Sequence, residues 1–544
     1  MKKIVLVLAI LFCAIITNAQ AWKWAVGSKC PKGVIESWTI AVDSHGNVYE
    51  WGVMSPSAFV SVPLPNDSLK AYFGHDSLQG LSDFLVSVDS NGNYRWAILV
   101  NYAAITKIVT SPSNDIYLFG VYNGSLTIGS LSISTFGVRQ GFIAKLNSSG
   151  TPVWLKNSPC TTGAFDAFHN CIYVSGAFTD PSLTIGSTTL VNHSYGSLNT
   201  DVFIAKLDTS GNPIWAKSFG GDSSETVANI ACTPSGDVYV SGLYTSPHFN
   251  IGAASFGNPS GGTFTYSYTA KFDSSGNPKW GNNISSDCNG EGIYWMDVDV
   301  WGNAYVTGGY YHHCIVGTDS LPYMSAYSFV MFVAKYGNNG ALRWAKSIND
   351  YHYPIGHSIA PDVCGNVWVC VQDTHGPDYT MLFKYDTSGN LIDSVVAHAG
   401  GDDQKAIVVD NKGNLYLGGD YMVDKSVFGN DTLRLVDSTL EALFIAKYAY
   451  PFCAFNPHLE IQDENENTAT VKIYPNPANR TINIATPSAS GKLTICDLSG
   501  RLLLIKQVTA VVTSFDVSAI PRGMYFAVWD NGAGSKTTQK IVVE

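Results

Sequence analysis

One hairpin pattern recurs through most of the chain and constrains its fold more than any other feature. In Phe203–Phe219, apolar and polar residues alternate on both sides of the turn Asp208–Asn212. Alternation with a period of two around a Gly/Asn turn is typical of a β-hairpin. The pattern recurs at Phe142–Lys156, Thr269–Trp280, Phe332–Lys346 and Leu382–Asp393, with a weaker copy at Phe84–Trp96 and a truncated one at Phe444–Tyr450. A repeat of this kind predicts a repeat architecture.

A second unit precedes each hairpin and has the form Asp-x-x-Gly-Asn-x-Tyr in its clearest copies. Its aromatic residue occurs seven times, at Tyr49, Tyr117, Tyr173, Tyr239, Tyr305, Trp368 and Tyr416. Together the two units give four strands, A to D, in each period of roughly 50 to 70 residues. Seven four-stranded units predict an all-β chain built as a seven-bladed β-propeller over residues 20–450.

The seventh period is incomplete, since it has strands A, B and C but no strand D. The start of the predicted mature chain, Trp22–Val26, repeats the Trp-Ala-Lys pattern of a strand D. We therefore expect this N-terminal strand to complete the last blade and to cover the sheet edge that an open ring would leave exposed.

The connections of such a ring lie on two different faces. The A–B and C–D turns are short everywhere and share one face, the tight-turn face. The B–C and D–A connections share the other, the long-loop face, and most B–C connections are long. Related stretches at Leu126–Gly129, Leu183–Gly186 and Phe249–Gly252 predict small additional hairpins. Because long loops on a rigid scaffold are where binding normally occurs, we expect the long-loop face to be the working face.

The two ends of the chain differ from the repeat. Residues 1–19 combine two lysines, a short apolar run and a small-residue cleavage site, which predicts a signal peptide. No other stretch has the ~18 apolar residues that a membrane span needs. Residues 451–470 are acidic and without periodicity, which predicts a linker. Residues 471–544 contain short strands that predict a small Ig-like β-sandwich.

Four motifs of this last domain carry a family resemblance: Ile473–Ala478, Asp497–Arg501, Pro521–Tyr525 and Gln539–Val543. In this order they resemble the type A C-terminal sorting domain of the type IX secretion system. The resemblance implies a Bacteroidota origin, a secretion machinery as partner, and a protein that is secreted or attached to the outer cell surface. It assigns the sorting motif to Tyr474, Pro475, Asn476, Pro477, Gly500, Arg501, Gly523 and Tyr525. The hairpin units separately resemble bacterial propeller repeats, a family without one function.

Charge and cysteine content exclude some classes of partner. The formal net charge of −11, without any basic cluster, argues against nucleic acid as a ligand. Of the 11 cysteines, ten remain after removal of the predicted signal peptide, which contains Cys13 (11 − 1 = 10). Their irregular spacing shows no framework, so their pairing stays open. We expect no cofactor and a monomer.

Three recurring residue types have a functional and a structural interpretation. The Asp-x-Ser-Gly-Asn turns could suggest calcium loops, but an Asp that bonds the backbone of its own turn explains them. The tryptophans of strand D could stack on sugars, but their fixed place favours packing between blades. The recurring lysine of strand C is expected to have its stem packed between blades and its amine solvated. It occurs at Lys145, Lys206, Lys271, Lys335, Lys384 and Lys447.

The densest aromatic and histidine neighbourhoods both lie around blade five. Exposed aromatic residues there suit contact with carbohydrate or protein, although packing of loop against loop is an open alternative. The aromatic candidates are Tyr294, Trp295, Tyr310, Tyr311, Tyr323, Tyr327, Tyr351 and Tyr353. The histidines are weak metal candidates, since nothing in the spacing sets a ligand geometry. They are His312, His313, His352 and His357.

These observations predict a secreted or cell-surface propeller that is a binding or structural module, adhesin-like or binding a glycan or a protein. The alternative is a polysaccharide-active enzyme, a lyase or hydrolase, with its site in the central channel of the long-loop face. Histidine or acidic residues with shifted pKa in the channel would favour the enzyme. An apolar or filled channel would favour the binding module. The sequence does not identify the ligand.

Overall fold

The computed structural model describes most of residues 21–543, and every helix or strand that it describes is a β-strand. The predicted signal peptide and the linker 451–470 lie outside the described residues. The described residues are 21–31, 33–56, 69–80, 82–136, 139–194, 199–258, 265–286, 292–310, 314–322, 330–348, 355–372, 380–397, 405–422, 425–435, 441–450, 472–474, 478–486, 491–496, 502–508, 510–518, 520, 523–530 and 536–543.

The ladders between these strands are antiparallel. The first strands in chain order are β1 (Ala21–Gly27), β2 (Gly33–Val42), β3 (Val48–Pro56), β4 (Lys70–Phe73), β5 (Asp76–Gln79), β6 (Ser82–Val88), β7 (Tyr94–Thr110), β8 (Ile116–Ile128), β9 (Leu131–Ser134), β10 (Gln140–Leu146), β11 (Pro152–Asn157), β12 (Thr162–Asp166), β13 (Cys171–Phe178), β14 (Ser182–Ile185), β15 (Thr188–Val191), β16 (Asp201–Asp208), β17 (Pro213–Phe219), β18 (Asn229–Cys232), β19 (Val238–Tyr244), β20 (His248–Ile251), β21 (Ala254–Gly257), β22 (Tyr266–Phe272) and β23 (Pro278–Ser286).

The remaining strands follow the same pattern up to the C-terminal region. They are β24 (Ile293–Val298), β25 (Ala304–Tyr310), β26 (Cys314–Val316), β27 (Asp319–Leu321), β28 (Val330–Tyr336), β29 (Leu342–Ile348), β30 (Ile355–Pro361), β31 (Val367–Gln372), β32 (Thr380–Tyr385), β33 (Leu391–Ala397), β34 (Ala406–Val409), β35 (Leu415–Tyr421), β36 (Lys425–Phe428), β37 (Asp431–Arg434), β38 (Ala442–Ala449), β39 (Lys472–Tyr474), β40 (Thr481–Ala485), β41 (Gly491–Cys496), β42 (Leu502–Val508), β43 (Val512–Asp516), β44 (Gly523–Asp530) and β45 (Lys536–Val543).

Strand pairing divides the repeat region into recurring sets of four, in which the first strand pairs with the second, the second with the third and the third with the fourth. We number them along the chain. Set 1 is β2, β3, β6 and the start of β7, and set 2 is the end of β7 with β8, β10 and β11. Set 3 is β12, β13, β16 and β17; set 4 is β18, β19, β22 and β23; set 5 is β24, β25, β28 and β29. Set 6 is β30 to β33, and set 7 is β34, β35, β38 and β1.

The first strands of these sets contact one another in a cycle. Strand β2 contacts β7, and the contacts continue through β12, β18, β24 and β30 to β34, which contacts β2. The first strands therefore surround a common central channel, and the all-β fold is propeller-like.

Set 7 is assembled from both ends of the repeat region. Its fourth strand is β1, which pairs with β38 so that Trp24 lies opposite Lys447 and Ala25 opposite Ala446. This is the strand that the N-terminal sequence was expected to supply. Beyond the ladder, the Ser28 amide donates to the Leu443 carbonyl at 2.9 Å.

Small hairpins fill much of the long B–C connections. The three that the sequence predicts are confirmed as β8–β9, β14–β15 and β20–β21. Others are β4–β5, β26–β27 and β36–β37. Strands β9, β15 and β21 contact the fourth strand of their own set. These hairpins therefore cover outer strand edges that would otherwise be open to pairing.

The hydrophobic core lies between neighbouring sets. One cluster combines Tyr173 and Ile204 of set 3 with Val240 and Tyr268 of set 4, all fully buried. Because each set buries both faces against its neighbours, no set has a core of its own.

The C-terminal region has two sheets, β39–β40–β43 and β42–β41–β44–β45. Ile482 and Ile484 of the first share a buried cluster with Ile495, Ala527 and Ile541 of the second. Two sheets that enclose one core form a small all-β unit.

Candidate functional site

The repeated Asp turns use their carboxylates to close themselves. Asp208 Oδ1 accepts the amides of Ser210 and Asn212 at 2.9 and 2.8 Å, and Asn212 Nδ2 donates to Oδ2 at 2.9 Å. The described residues hold no group of three or more acidic, His or Cys side chains that could bind a metal. The bonds at Asp208 confirm the self-bonding interpretation of this turn. Other turns with the same bonds begin at Asp43, Asp89, Asp273, Asp299, Asp362, Asp386 and Asp410.

The recurring lysine lies over the recurring aromatic ring of its own set. Lys206 Nζ is 5.2 Å from the centre of the Tyr173 ring, a cation–π distance. Lys271 and Lys384 also form ion pairs of 2.9 Å with Asp237 and Asp362. The expectation that the amines are solvated is wrong for Lys271, Lys335 and Lys384, which are all buried. A ring and a nearby carboxylate or carbonyl replace water around them.

Set 1 lacks this lysine and supplies its cation from another strand. Ser87 occupies the lysine position, opposite Tyr49. Arg95, in the fourth strand, donates to the Tyr49 hydroxyl at 3.2 Å and to Ser87 Oγ at 2.9 Å. A cation therefore lies beside the recurring ring in set 1 as well, although another residue carries it.

The tryptophans of the fourth strands join each set to the next. Trp215 Nε1 donates to the Ser274 carbonyl at 3.3 Å, and its ring covers Gly276. Gly276 has a φ of +75°, and a Cβ there would lie 2.7 Å from the ring. Packing between sets, rather than sugar stacking, is confirmed for these tryptophans. Equivalent bonds run from Trp24 to Ser90, Trp96 to Ser148, Trp280 to Asn338 and Trp344 to Thr387.

Only part of the aromatic and histidine group predicted around set 5 is described. Tyr294 and Trp295 lie in β24 and are half-buried. His357 lies in β30, and the structure does not describe its side chain. Tyr311, Tyr323, Tyr327, Tyr351, Tyr353, His312, His313 and His352 lie outside the described residues.

Tyr310 is fully buried, so the expectation of an exposed ring at this position is wrong. Its hydroxyl donates to the Pro322 carbonyl at 3.1 Å, and its ring shares a cluster with Cys314, Val316 and Leu321. The hairpin β26–β27 covers the ring, which is the packing alternative that the sequence left open.

The central channel is lined by both polar and apolar atoms. It encloses about 260 Å³ between the first strands, and a cavity of about 310 Å³ continues it to the A–B turns of the tight-turn face. Most of its lining consists of aliphatic side chains and backbone. Lys107, Trp295 and Asp297 stand out from this lining.

Lys107 reaches across the channel towards set 5. Its Nζ lies 5.6 Å from the centre of the Trp295 ring, although β7 and β24 are not neighbours in the cycle. Burial lowers the pKa of Lys107, and the nearby Asp297 opposes that shift. Burial raises the pKa of Asp297, against the influence of Lys107. The three side chains partly fill the channel and place two titratable groups inside it.

Tyr102 is the most unusual residue of the long-loop face. Strand β7 passes from set 1 to set 2 without a loop, and Tyr102 lies at the change, where the pairing with β8 is irregular. Its φ is +66°, and its side chain is 69% exposed. A non-glycine residue in a sparsely populated backbone region costs about 1–3 kcal/mol. An exposed ring offers little packing energy to offset that cost.

Neighbouring side chains hold this irregular backbone in place. Asp83 Oδ2 accepts the amide of Ala103 at 2.8 Å, and Ser82 Oγ donates to Asn101 Oδ1. Burial raises the pKa of Asp83 to about 6, while bonds from the backbone of Ala103, Asp83 and Tyr102 oppose the shift. These polar contacts therefore hold the backbone that carries the exposed ring.

Phe136 lies close to the same stretch of β8 and is fully exposed. The amide of the preceding residue, Thr135, donates to the Gly124 carbonyl at 2.7 Å. On the other side, β7 pairs with β8 again from Ala103, which lies opposite Tyr122. Tyr102 and Phe136 therefore flank the same segment of β8. Neither residue was predicted as a contact. Phe136 lies in a long B–C connection between β9 and β10, and for Tyr102 the missing D–A loop between sets 1 and 2 was the available signal.

The sorting motif is described in part. Tyr474 is 45% exposed at the end of β39, whereas Tyr525 is buried in β44, which begins at Gly523. Pro475, Asn476, Pro477, Gly500 and Arg501 lie outside the described residues. Among the described residues there is no helix long and apolar enough to cross a bilayer.

Comparison with known proteins gives its clearest result for this C-terminal region. Residues 472–544 match the secretion system C-terminal sorting domain. Over 425 residues the chain is 24% identical to an uncharacterised WD repeat-containing protein of Acanthamoeba polyphaga mimivirus, covering 65% of this chain and 29% of that protein. The chain thus spans less than a third of the curated relative that it matches.

Solved structures resemble the chain only distantly. They include the Dos1 propeller (9% identity, TM-score 0.36, 79% of this chain and 94% of that one). A protein of unknown function from Dyadobacter fermentans has 8% identity and a TM-score of 0.37, over 78% and 99%. An ulvan lyase has 10% identity and a TM-score of 0.40, over 76% and 99%. Likenesses at this level carry no weight for function. The sorting domain is informative, because it marks this chain for export by the type IX secretion system to the cell surface or the extracellular space.

Proposed function

We propose that residues 20–450 form a seven-bladed β-propeller in which each of sets 1 to 7 is one blade. The cycle of contacts between first strands supports this, as does the pairing of β1 with β38 in set 7. In the same proposal, residues 451–470 are a linker and residues 471–544 an Ig-like sorting domain. The shared core of the two C-terminal sheets supports the sandwich.

We further propose that the propeller is an adhesin-like module that binds carbohydrate polymers through its long-loop face. The carrying observation is the exposed Tyr102 ring, whose backbone has a φ of +66° and is held by the half-buried Asp83 carboxylate. Backbone strain that no packing contact offsets is typical of binding sites, where contacts with the bound ligand stabilise the strained conformation. A flat aromatic face suits the apolar face of a sugar ring, and its hydroxyl can bond sugar hydroxyls.

The charge of the chain narrows the class of polymer. A formal net charge of −11 repels polyanions at moderate ionic strength. We therefore propose a neutral polysaccharide, with Tyr102 and Phe136 as contacts. Gly124 in the segment between them has nothing within 4 Å of the position that a Cβ would occupy, so there is open space for a ligand.

Affinity electrophoresis of the secreted chain in gels containing neutral or anionic polysaccharides tests this function. Tyr102→Ala keeps the unfavourable φ but removes the ring, so the fold is retained. Loss of an aromatic anchor typically costs ~2 kcal/mol, and we expect the apparent affinity to fall about thirtyfold. Ile214→Ala, which removes an exposed apolar side chain from the outer strand β17, is the control and should bind as the natural chain does.

Two results would contradict the proposal. One is retention of full affinity by Tyr102→Ala for a polysaccharide that the natural chain binds. The other is equal loss in Ile214→Ala, which would indicate a nonspecific effect on the fold. Binding confined to anionic polymers would refute the neutral class while leaving the face intact.

A second candidate is a polysaccharide-active enzyme, and one observation favours it. Lys107 and Asp297 face each other across the channel with pKa values moved towards neutrality by burial. A lysine with a lowered pKa is a candidate general base for a lyase. We rank this candidate second because the Lys107 amine is held against the Trp295 ring and partly fills the channel. Chain shortening of a polysaccharide that disappears in Lys107→Met would reverse the order.

A further inference from the structure

A lysine and two carboxyl groups meet inside the protein where set 7 packs against set 1. Lys405 directly precedes β34, Asp420 lies near the end of β35, and Glu50 lies in β3. All three residues are 0% exposed. Lys405 Nζ donates to Asp420 Oδ1 at 2.8 Å, so an amine and a carboxyl group are already in contact.

Two glycines let these groups approach one another. Gly418 and Gly419 immediately precede Asp420, and neither position has room for a Cβ. A Cβ at Gly418 would lie 2.5 Å from Glu50 Oε1, and one at Gly419 would lie 2.3 Å from Lys405 Cδ. The side chains of Glu50 and Lys405 are therefore packed against the backbone that carries Asp420.

The hydrogen bonding of this group is incomplete for an ordinary buried ion pair. A stable buried carboxylate normally has its oxygens bonded. Asp420 Oδ2 and Glu50 Oε2 have no hydrogen-bond partner among the residues that the structure describes. Burial raises the pKa of Glu50 well above its usual range, although the hydrogen bond from Ser37 opposes the shift. Glu50 can therefore hold a proton and pass it to a neighbouring group.

A second buried pair in the same fold, Lys384 with Asp362, lacks the open carboxyl oxygen. Lys384 Nζ lies 2.9 Å from Asp362 Oδ2, and both side chains are nearly fully buried. Asp362 Oδ1 also accepts the amides of Cys364 and Asn366, and Oδ2 accepts Asn366 Nδ2. Such bonds stabilise the ionised carboxylate, which is a poor electrophile. The carboxyl group of Asp420 is not held in this way.

We propose that Lys405 and Asp420 form an intramolecular isopeptide bond, with Glu50 as the residue that transfers the protons. Two opposite charges in a fully buried site are costly, and passing one proton from Nζ to the Asp420 carboxylate removes both charges. The products are a neutral amine, which is a nucleophile, and a neutral carboxylic acid. Because the fold holds the two in contact, the reaction does not depend on a chance encounter.

The reaction is a condensation that needs no oxidant, reductant or further reactant. The Nζ lone pair attacks Asp420 Cγ, and the Nζ–Cγ bond forms as the carbonyl double bond opens. Glu50 donates a proton to the hydroxyl group that leaves Cγ and takes one from the attacking nitrogen. The Cγ–O bond breaks with its electron pair on oxygen, and one water leaves. An amide then joins the two side chains, and Glu50 is again protonated.

The bond acts in the set that joins the two ends of the repeat region. Lys405 and Asp420 flank a ladder in which Ala406 lies opposite Gly418, so the bond ties β34 to β35. The fourth strand of the same set is β1, from the other end of the repeat region. The cross-link therefore adds a covalent tie to a set that otherwise depends on strand pairing. In a chain that has not reacted, Lys405 remains the cation of this site.

Peptide mapping of the secreted full chain by mass spectrometry tests the bond. Trypsin does not cut after a lysine whose amine is part of an amide, so the cut after Lys405 should be missing. We expect peptide 385–412 to be joined to peptide 413–425, with a combined mass lower by one water. Cleavage after Lys384 is the internal control, because that lysine should stay free. Separate peptides 385–405, 406–412 and 413–425 at their sequence masses would overturn the proposal.

Two variants separate the bond from the ion pair. Lys405→Arg keeps a cation beside Asp420 but has no amine that can form this amide, so the cross-linked peptide should be absent. Glu50→Gln keeps Lys405 and Asp420 but removes the group that transfers protons, and we expect the cross-linked fraction at matched times to fall ~tenfold or more.

Two results with these variants would contradict the proposal. A cross-link that persists in Lys405→Arg would place the bond at another residue. A Glu50→Gln chain that cross-links as fully as the natural chain would show that Glu50 does not transfer the protons. If a variant does not fold, the peptide map of the natural chain still decides whether the bond exists.

Discussion

The two ends of the strands in this molecule follow different rules. At the tight-turn end, successive sets use the same parts: an Asp turn that bonds itself, a cation over an aromatic ring, and a tryptophan bonded to the next set. At the long-loop end, different polar residues join neighbouring sets at each of two junctions. Sets 7 and 1 meet at Glu50, Lys405 and Asp420, whereas sets 3 and 4 meet at Asp201 and Glu225.

The difference separates scaffold from function. A residue that recurs in every set answers a requirement of the repeat, so its recurrence is evidence against a special role. Arg95 makes this clear, because set 1 restores the cation by another route when the lysine is missing. Tyr102, Lys107 and Trp295 are exceptions, because their contacts do not recur from set to set. Candidate functional residues are therefore found where the repeat fails.

The largest predicted effect compares one buried lysine from each end. Lys405→Met leaves Asp420 and Glu50 without their cation in a fully buried site. Removing one partner of a buried pair typically costs 3–5 kcal/mol, and we expect about 4 kcal/mol in chemical denaturation. Lys384→Met at the tight-turn end should cost only about 2 kcal/mol, because Asp362 keeps its bonds from Asn366 and Cys364. Equal costs would show that self-closure of the turn does not protect its carboxylate.

The tryptophan joints give the next largest effect. Trp215→Ala removes a half-buried ring and one hydrogen bond to set 4, and we expect a loss of about 3 kcal/mol. Because the joint recurs, Trp280→Ala and Trp344→Ala should agree with it within ~1 kcal/mol in the same denaturation experiment. A spread of several kcal/mol would mean that the repeated positions are not equivalent.

The junction of sets 3 and 4 predicts a pH effect that the tight-turn end should lack. Burial, with Asp201 and Asp222 nearby, raises the pKa of Glu225 to about 7. A carboxyl group with a raised pKa binds its proton more tightly when folded, so stability is lost as pH rises from about 4.5 to about 7. Because a tenfold change in proton affinity corresponds to about 1.36 kcal/mol, the loss between pH 5 and pH 7 is about 2 kcal/mol.

Glu225→Gln isolates this contribution, because the amide does not titrate. The natural chain should lose about 2 kcal/mol more than the variant over this pH range in urea unfolding. By contrast, the turn carboxylate Asp273 is held ionised: burial opposes this, but bonds from Asn277, Lys279 and Ser275 lower its pKa to about 2. The same pH dependence in the natural chain and the variant would show that Glu225 titrates normally.

The sequence predicted the regular part of this molecule because period-two alternation and Gly/Asn turns are local signals. The turn at Asp208, the hairpin at Leu183–Gly186 and the place of Trp215 all followed from such signals. It also predicted the pairing of β1 with β38, since the missing strand D could be counted.

Burial and orientation were harder to predict because they depend on distant segments. The sequence does not show that the hairpin β26–β27 covers Tyr310 or that a carboxylate of the preceding turn meets Lys384. Nor does it show that Lys107 reaches Trp295 from the far side of the channel. The left-handed backbone at Tyr102 was hidden because Tyr gives no turn signal.

One variant tests most directly whether function lies where the repeat fails. Tyr102→Gly removes the ring and relieves the positive φ at once. Glycine accepts this conformation, so we expect the free energy of unfolding to stay unchanged or rise by up to about 1 kcal/mol, while polysaccharide binding falls about thirtyfold as in Tyr102→Ala. A glycine variant that loses stability and keeps full affinity would show that Tyr102 serves the fold and would contradict the account.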